Sequence, residues 1–200
     1  MRKKIVLPIL LCIVLFLFLL PSAMSAPGSQ NSSTAKIFAD ARQATEKYHN
    51  VSIAEADGYV PLGGCVQSPA GVMGIHYANS SMFGIQPPVE TKPPILLYVN
   101  SPDSGKRLVG AEYFAPALMK LSDGTVKTWV GEPENQSDLP PGQGTDWNWL
   151  PSPLLFGRPL DGPMAGHEPG MIWHFDLHVW LWQGNPSGIF AQFNPTVKCG

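Results

Sequence analysis

Charge is scarce in this chain: Asp, Glu, Lys and Arg supply 14% of its 200 residues, and the formal net charge is −2. After Arg2, Lys3 and Lys4 there is no basic run or stripe. Nucleic acids are held by clustered Lys and Arg that neutralise phosphates, so no nucleic-acid partner is expected. Cysteine is scarce too, with three in all and no C-x-x-C pair, which removes the finger-type zinc motif. The G-x-S-x-G elbow, the P-loop and the Gly-rich dinucleotide fingerprint are all missing. His167-Glu168 starts like a metalloprotease helix, but no second His follows at the required spacing. No internal repeat is present.

Only one long apolar run exists, IVLPILLCIVLFLFLL, directly after the basic start. It is followed by PSAMSA, so residues 1–26 read as a secretory signal peptide. The run has 16 residues, short of the roughly 20 that a membrane-spanning helix needs. Membrane contact is therefore expected only during export, and the mature protein is placed outside the cytoplasm, in the periplasm, at the cell surface or secreted. Cleavage takes away three basic residues and moves the net charge from −2 to −5. Residues 27–33 are a polar leader, and 34–200 form one domain, long enough for a real core.

Cleavage also removes Cys12 and leaves Cys65 and Cys199. Two cysteines in an exported protein most simply form one disulfide; the alternatives are free thiols or a thiolate ligand. Closing so long a loop is worth roughly 4 to 5 kcal/mol in the chain-entropy model. Asn31, Asn50, Asn79 and Asn135 each start an Asn-x-Ser sequon.

From Thr34 to Tyr48 the apolar positions Ile37, Phe38, Ala41, Ala44 and Tyr48 recur at helical spacing, and a short second helix is expected over 52–56. His49, at the first helix's end, reads as a dipole partner. Beyond residue 57 prolines and glycines divide the chain into short strands, 71–78, 95–100, 107–116, 125–131 and 171–182, with turns at SPDSG and SDG. The segment 132–163 is rich in Pro and Gly but carries Trp147, Trp149 and Phe156, so it reads as a long loop packed over the sheet. The fold class is α+β: N-terminal helices on a mostly antiparallel β-sheet with long Pro/Gly-rich loops, a sheet that could curl into a barrel-like half shell.

What the chain does have is concentrated. HEPGMIWHFDLHVWLW, residues 167–182, holds three of the five histidines, Glu168, Asp176 and three of the six tryptophans. Alternation along a strand places Trp173, Phe175, Leu177, Val179 and Leu181 on one face, which is the core face. The opposite face carries His174, Asp176, His178, Trp180 and Trp182, a combination that suits a half-wet pocket better than open solvent. His174 and His178 stand about 13 Å apart along a regular strand. They cannot share one ion at ligand distances of about 2.0 Å. A single metal therefore takes Asp176 with one of them. Further donors are expected from His76, with glycines nearby, from His167 and Glu168 in the preceding loop, or from Glu112, a lone acid in an apolar strand. Such a set suits Zn, Mn, Fe, Ni or Cu.

The pieces AEADGYVPLGGC, GIHY, LVGAEYF and GPMAGHEPGMIWHFDLHVWLWQGNPSGIFAQFNPTVKC resemble a family of short exported prokaryotic proteins with no assigned function. The resemblance spans most of residues 43–199, implies one domain, agrees with a Cys65–Cys199 pairing and implies no activity. The cupin barrels offer an analogy only, since their ligands follow a different order. The leading expectation is an exported divalent-metal-binding domain. One alternative is a metal-dependent hydrolase or oxygenase. Another is a metal-free module whose Trp180, Trp182, Trp147 and Trp149 form an aromatic cleft for a small-molecule ligand.

Overall fold

The computed structural model describes residues 28–84, 87–131, 139–167 and 169–200. The expected signal peptide, Asn135 and Glu168 lie outside these residues. Helix α1 spans Gly28–Thr45, continues into a 3-10 turn at Glu46–His49 and is followed by α2, Val51–Ala56. The helix begins at Gly28, ahead of Thr34, and takes in residues 28–33 of the segment read as a leader. Ile37, Phe38 and Ala41 of this helix pack into the main core. Asn50 caps α2 by accepting from the Ser52 N–H at 3.1 Å. No helix among the described residues is long and apolar enough to cross a membrane.

Among the described residues twelve strands follow: β1 Val60–Pro61, β2 Val66–Ser68, β3 Gly71–Ala78, β4 Ile95–Ser101, β5 Gly105–Pro116, β6 Leu118–Leu121, β7 Val126–Thr128, β8 Trp147–Trp149, β9 Leu154–Leu155, β10 Arg158–Pro159, β11 Asp161–Met164 and β12 His174–Val179. The main sheet runs β1-β3-β4-β5-β12-β11, with β2 also on β3. Every pairing in it is antiparallel. The order ends in two separate edges, so the sheet stays open rather than closing into a barrel. β7-β6-β8 form a small second sheet and β9-β10 a hairpin. The segment expected to be one long loop thus carries short strands over its described part. Its aromatic content packs as expected: Phe156 joins the main core and Trp149 stacks on Trp173 at 5.7 Å.

Neighbouring Leu96 and Leu97 point to opposite faces of β4, yet both have no exposed surface, so the sheet is buried on both sides. On one face α1 and the long loop cover Ala111, Tyr113, Ala115, Phe175, Leu177 and Val179. The 3-10 turn and α2 cover Tyr77, Leu96, Tyr98 and Leu108, and the Tyr98 hydroxyl donates to the Tyr48 carbonyl at 2.6 Å. The other face holds Ala78, Ile95, Leu97, Val99, Val109 and Trp180 beneath Val197, with Cys65 and Cys199 beside them. Those cysteines form the expected disulfide, their Cα atoms 5.8 Å apart across 134 residues of chain.

β12 ends sooner than its sequence pattern predicts. After Val179 the Leu181 N–H turns back to the Val179 carbonyl at 2.9 Å, a three-residue turn that breaks the alternation. Trp180 stays on the face of His178, 2% exposed, its indole N–H donating to the Ala191 carbonyl. Trp182 swings to the helix side and donates to the Thr45 hydroxyl at 3.1 Å. The two tryptophans expected on one pocket face are therefore on opposite faces. Trp147 buries its N–H against the Pro140 and Pro141 carbonyls in the small sheet. The four indoles do not line one cleft.

Candidate metal centre

β12 is wedged between β5 and β11, and this placement decides which side chains meet. Its register on β5 sets His178 opposite Glu112 and Asp176 opposite Phe114. Across the remaining strands Glu112 faces Ile95 and Ile95 faces Ala78. His76, two residues before Ala78 on the same face of β3, leans back toward Glu112. Gly74 makes this path possible. Its φ is +114°, and a Cβ there would lie 2.7 Å from the Tyr98 carbonyl oxygen, so only glycine fits the close approach of β3 to β4.

The result is a triad of His76, Glu112 and His178, with one donor atom from each all within 4.8 Å of one another. Glu112 Oε2 lies 3.1 Å from His76 Nε2 and 3.6 Å from His178 Nε2. Two ligands on arms of about 2.1 Å are separated by roughly 3.0 to 3.4 Å in octahedral or tetrahedral spheres; the 3.1 Å spacing falls on such an edge, and the 3.6 Å spacing lies just beyond it. Glu112 is 7% exposed and His178 2%. Despite that burial, Glu112 Oε2 and both ring nitrogens of His178 have no hydrogen-bond partner. His76 approaches the carboxylate closely without the alignment of a hydrogen bond.

Burial pushes the Glu112 carboxyl up, but the rings of His178 and His76 outweigh it and hold Glu112 below the usual carboxylate range. Burial also depresses His76, yet the Glu112 charge prevails and that ring titrates above its ordinary value. His178 is pushed down, first by burial and then by the neighbouring His76 ring, against the pull of Glu112. His76 is therefore the more basic of the two rings, and His178 the one that more readily keeps a free lone pair.

Three more donors gather further along the same strand face: His167, His174 and Asp176, also within 4.8 Å of one another. Asp176 pairs with Asp161 on β11 as well as with Phe114. Burial first, and then the charges of Glu112 and Asp161, push its carboxyl up to about 8.

Sequence spacing placed these residues in one hollow, and His76 does share the face of Asp176. Their grouping differs from the expected one. His76 and His178 collect around Glu112, while Asp176 keeps His174 and gains His167. The reason lies in two distances: same-face neighbours along a strand are about 6.6 Å apart, whereas directly opposed residues have Cβ atoms about 5 Å apart. Cross-strand proximity wins, and register is not visible in one sequence. The lone acid in the apolar run GAEYFAP was the available signal for Glu112. His49 takes no part, its ring meeting Trp182 edge-on at 4.4 Å. No protein-family model matches the chain, and neither does any curated protein or solved structure.

Proposed function

We propose that this chain is an exported metal-binding domain that holds one divalent transition-metal ion between His76, Glu112 and His178. The observation that carries this reading is the convergence of three donors: Glu112 Oε2 lies 3.1 Å from His76 Nε2 and 3.6 Å from His178 Nε2, and neither ring nitrogen of buried His178 has a hydrogen-bond partner. A buried polar atom without a partner costs about 1 to 3 kcal/mol, and the two ring nitrogens of His178 together call for a compensating group. A purely structural cluster would give the His178 ring nitrogens partners among these side chains or the backbone. Two imidazoles and one carboxylate suit Zn, Mn, Fe, Ni or Cu. Export is supported by the basic-apolar-small pattern of residues 1–26 and by the Cys65–Cys199 disulfide. The aromatic-cleft alternative loses its basis, because Trp180 and Trp182 occupy opposite faces.

The test is metal analysis of the mature, disulfide-bonded protein after dialysis against zinc and removal of loose ions. Wild type is expected to retain zinc, and Glu112→Gln to lose it from this triad while keeping the wild-type circular dichroism spectrum. Zinc retained equally by wild type and Glu112→Gln, or by neither, would remove the proposal.

A further inference from the structure

We infer that the chain carries a second and separate metal site, formed by His167, His174 and Asp176, whose coordination sphere opens to solvent. The donor set is again two imidazoles and one carboxylate, and it shares no residue with the first triad. Asp176 supplies the independent sign of a ligand: it is 3% exposed, and its Oδ1 has no hydrogen-bond partner.

His174 is held as a metal-binding histidine is held. Its Nδ1 lies 3.2 Å from the Ile172 carbonyl, which can only accept, so that nitrogen carries the proton and Nε2 keeps the lone pair. Phe114 stacks on the ring at 5.0 Å and fixes its plane. His167 comes from the loop ahead of β12. Its ring stands 5.3 Å from that of His174, and its backbone N–H meets the Met171 sulfur at 3.4 Å. Gly166 lets this loop fold back, since a Cβ there would meet the Met171 side chain at 2.5 Å.

The two triads differ in access. Glu112 and His178 are buried, whereas His167 is exposed at the surface. An ion on the second triad has three protein ligands and faces water through its exposed member. Its remaining positions are therefore open to exchangeable water or a small anion, the arrangement of catalytic rather than structural sites. Neighbouring same-face residues Asp176 and His178 are roughly 6.6 Å apart along β12. The ions are therefore separate and fill in sequence, the outer one binding more weakly. This inference stands on different residues from the first site, and either can fail alone.

Equilibrium dialysis of the mature, disulfide-bonded chain against zinc, followed by graded chelator, reads it out. Wild type is expected to bind two ions per chain and to surrender one of them first. His167→Ala, a change at an exposed loop position, should lower the affinity of that weaker site at least tenfold while the tight ion stays. Asp176→Asn should behave likewise, and Glu112→Gln should lose the tight ion and keep the weak one. In the Co(II)-loaded chain, azide should shift the visible absorption bands of wild type and not those of His167→Ala. One ion per chain, abolished by Glu112→Gln and untouched by His167→Ala, overturns this inference alone. No bound zinc in the folded wild type overturns it together with the first site. Two ions whose bands azide leaves unmoved overturn the open coordination.

Discussion

His178 is nearly buried and has a hydrogen-bond partner for neither ring nitrogen. In the metal-free protein this is a local penalty, because each unpaired polar atom lost its water on folding. Replacing His178 by leucine removes both atoms and keeps an apolar side chain in the space. Metal-free His178→Leu is therefore expected to be as stable as wild type or more stable by about 1 kcal/mol, while zinc loses the part of its stabilisation that comes from the inner triad. Denaturant unfolding with and without zinc measures both effects. A loss of more than about 2 kcal/mol in the metal-free state would mean that the imidazole is paired after all. The same logic separates the carboxylates: Glu112 is held as an anion by its histidines, while Asp176 is pushed toward its neutral form by burial.

The elements transmit strain to the site through β3 and hold the helices through polar contacts. Gly74 lies two residues before His76, with positive φ and the Tyr98 carbonyl against it. Gly74→Ala must distort β3 or push β4 away, and should cost about 2 kcal/mol or more. It should also weaken zinc binding by moving His76, so thermal unfolding and zinc titration would change together. On the opposite face the 3-10 turn is tied to the end of α2. Lys47 Nζ donates to Asp57 Oδ2, and the Tyr48 hydroxyl donates to the same oxygen at 3.1 Å. These two donors, Lys47 first, hold the Asp57 carboxyl below its ordinary value. A carboxyl depressed in the folded state stabilises above its unfolded pKa, and that contribution disappears as pH falls through the folded value. Asp57→Asn should therefore lower the melting temperature at pH 7, and the difference should shrink below about pH 4. A gap that stays constant down to pH 2 would show that the effect is not ionic.

Across the whole molecule, one covalent link connects parts that are distant in sequence, and the two proposed ions would add to it. The Cys65–Cys199 bridge closes 134 residues, which the chain-entropy model values at about 5 kcal/mol. Cys65→Ser with Cys199→Ser is expected to lower unfolding free energy by about 3 to 5 kcal/mol. Urea midpoints of the two proteins report this, and equal midpoints would contradict it. The proposed ion between β3, β5 and β12 would act similarly, since a ligand bound only by the folded chain stabilises by about 2.7 kcal/mol at a hundred times its dissociation constant. Chelation should therefore lower the melting temperature of wild type by more than that of His178→Leu, which keeps only the outer triad.

Period and composition were sufficient for much of this. Two-residue alternation in IWHFDLHV already assigns Phe175, Leu177 and Val179 to the core and His174, Asp176 and His178 to the opposite face. Helical spacing locates Ile37, Phe38 and Ala41, and cysteine count pairs Cys65 with Cys199. These are properties of a local repeat or of simple counting, so a chain carries them without knowing its partners. What the tertiary structure alone decided is which donors meet. The β5–β12 register brings His178 to Glu112, the glycine-enabled path of β3 adds His76, and the folded-back loop gives His167 to Asp176 and His174. The turn after Val179 likewise sends Trp182 away from Trp180. Each of these outcomes depends on pairing between residues far apart in sequence, where a shift of one position turns every side chain to the other face. No local pattern encodes that choice; only the packing of the complete sheet does.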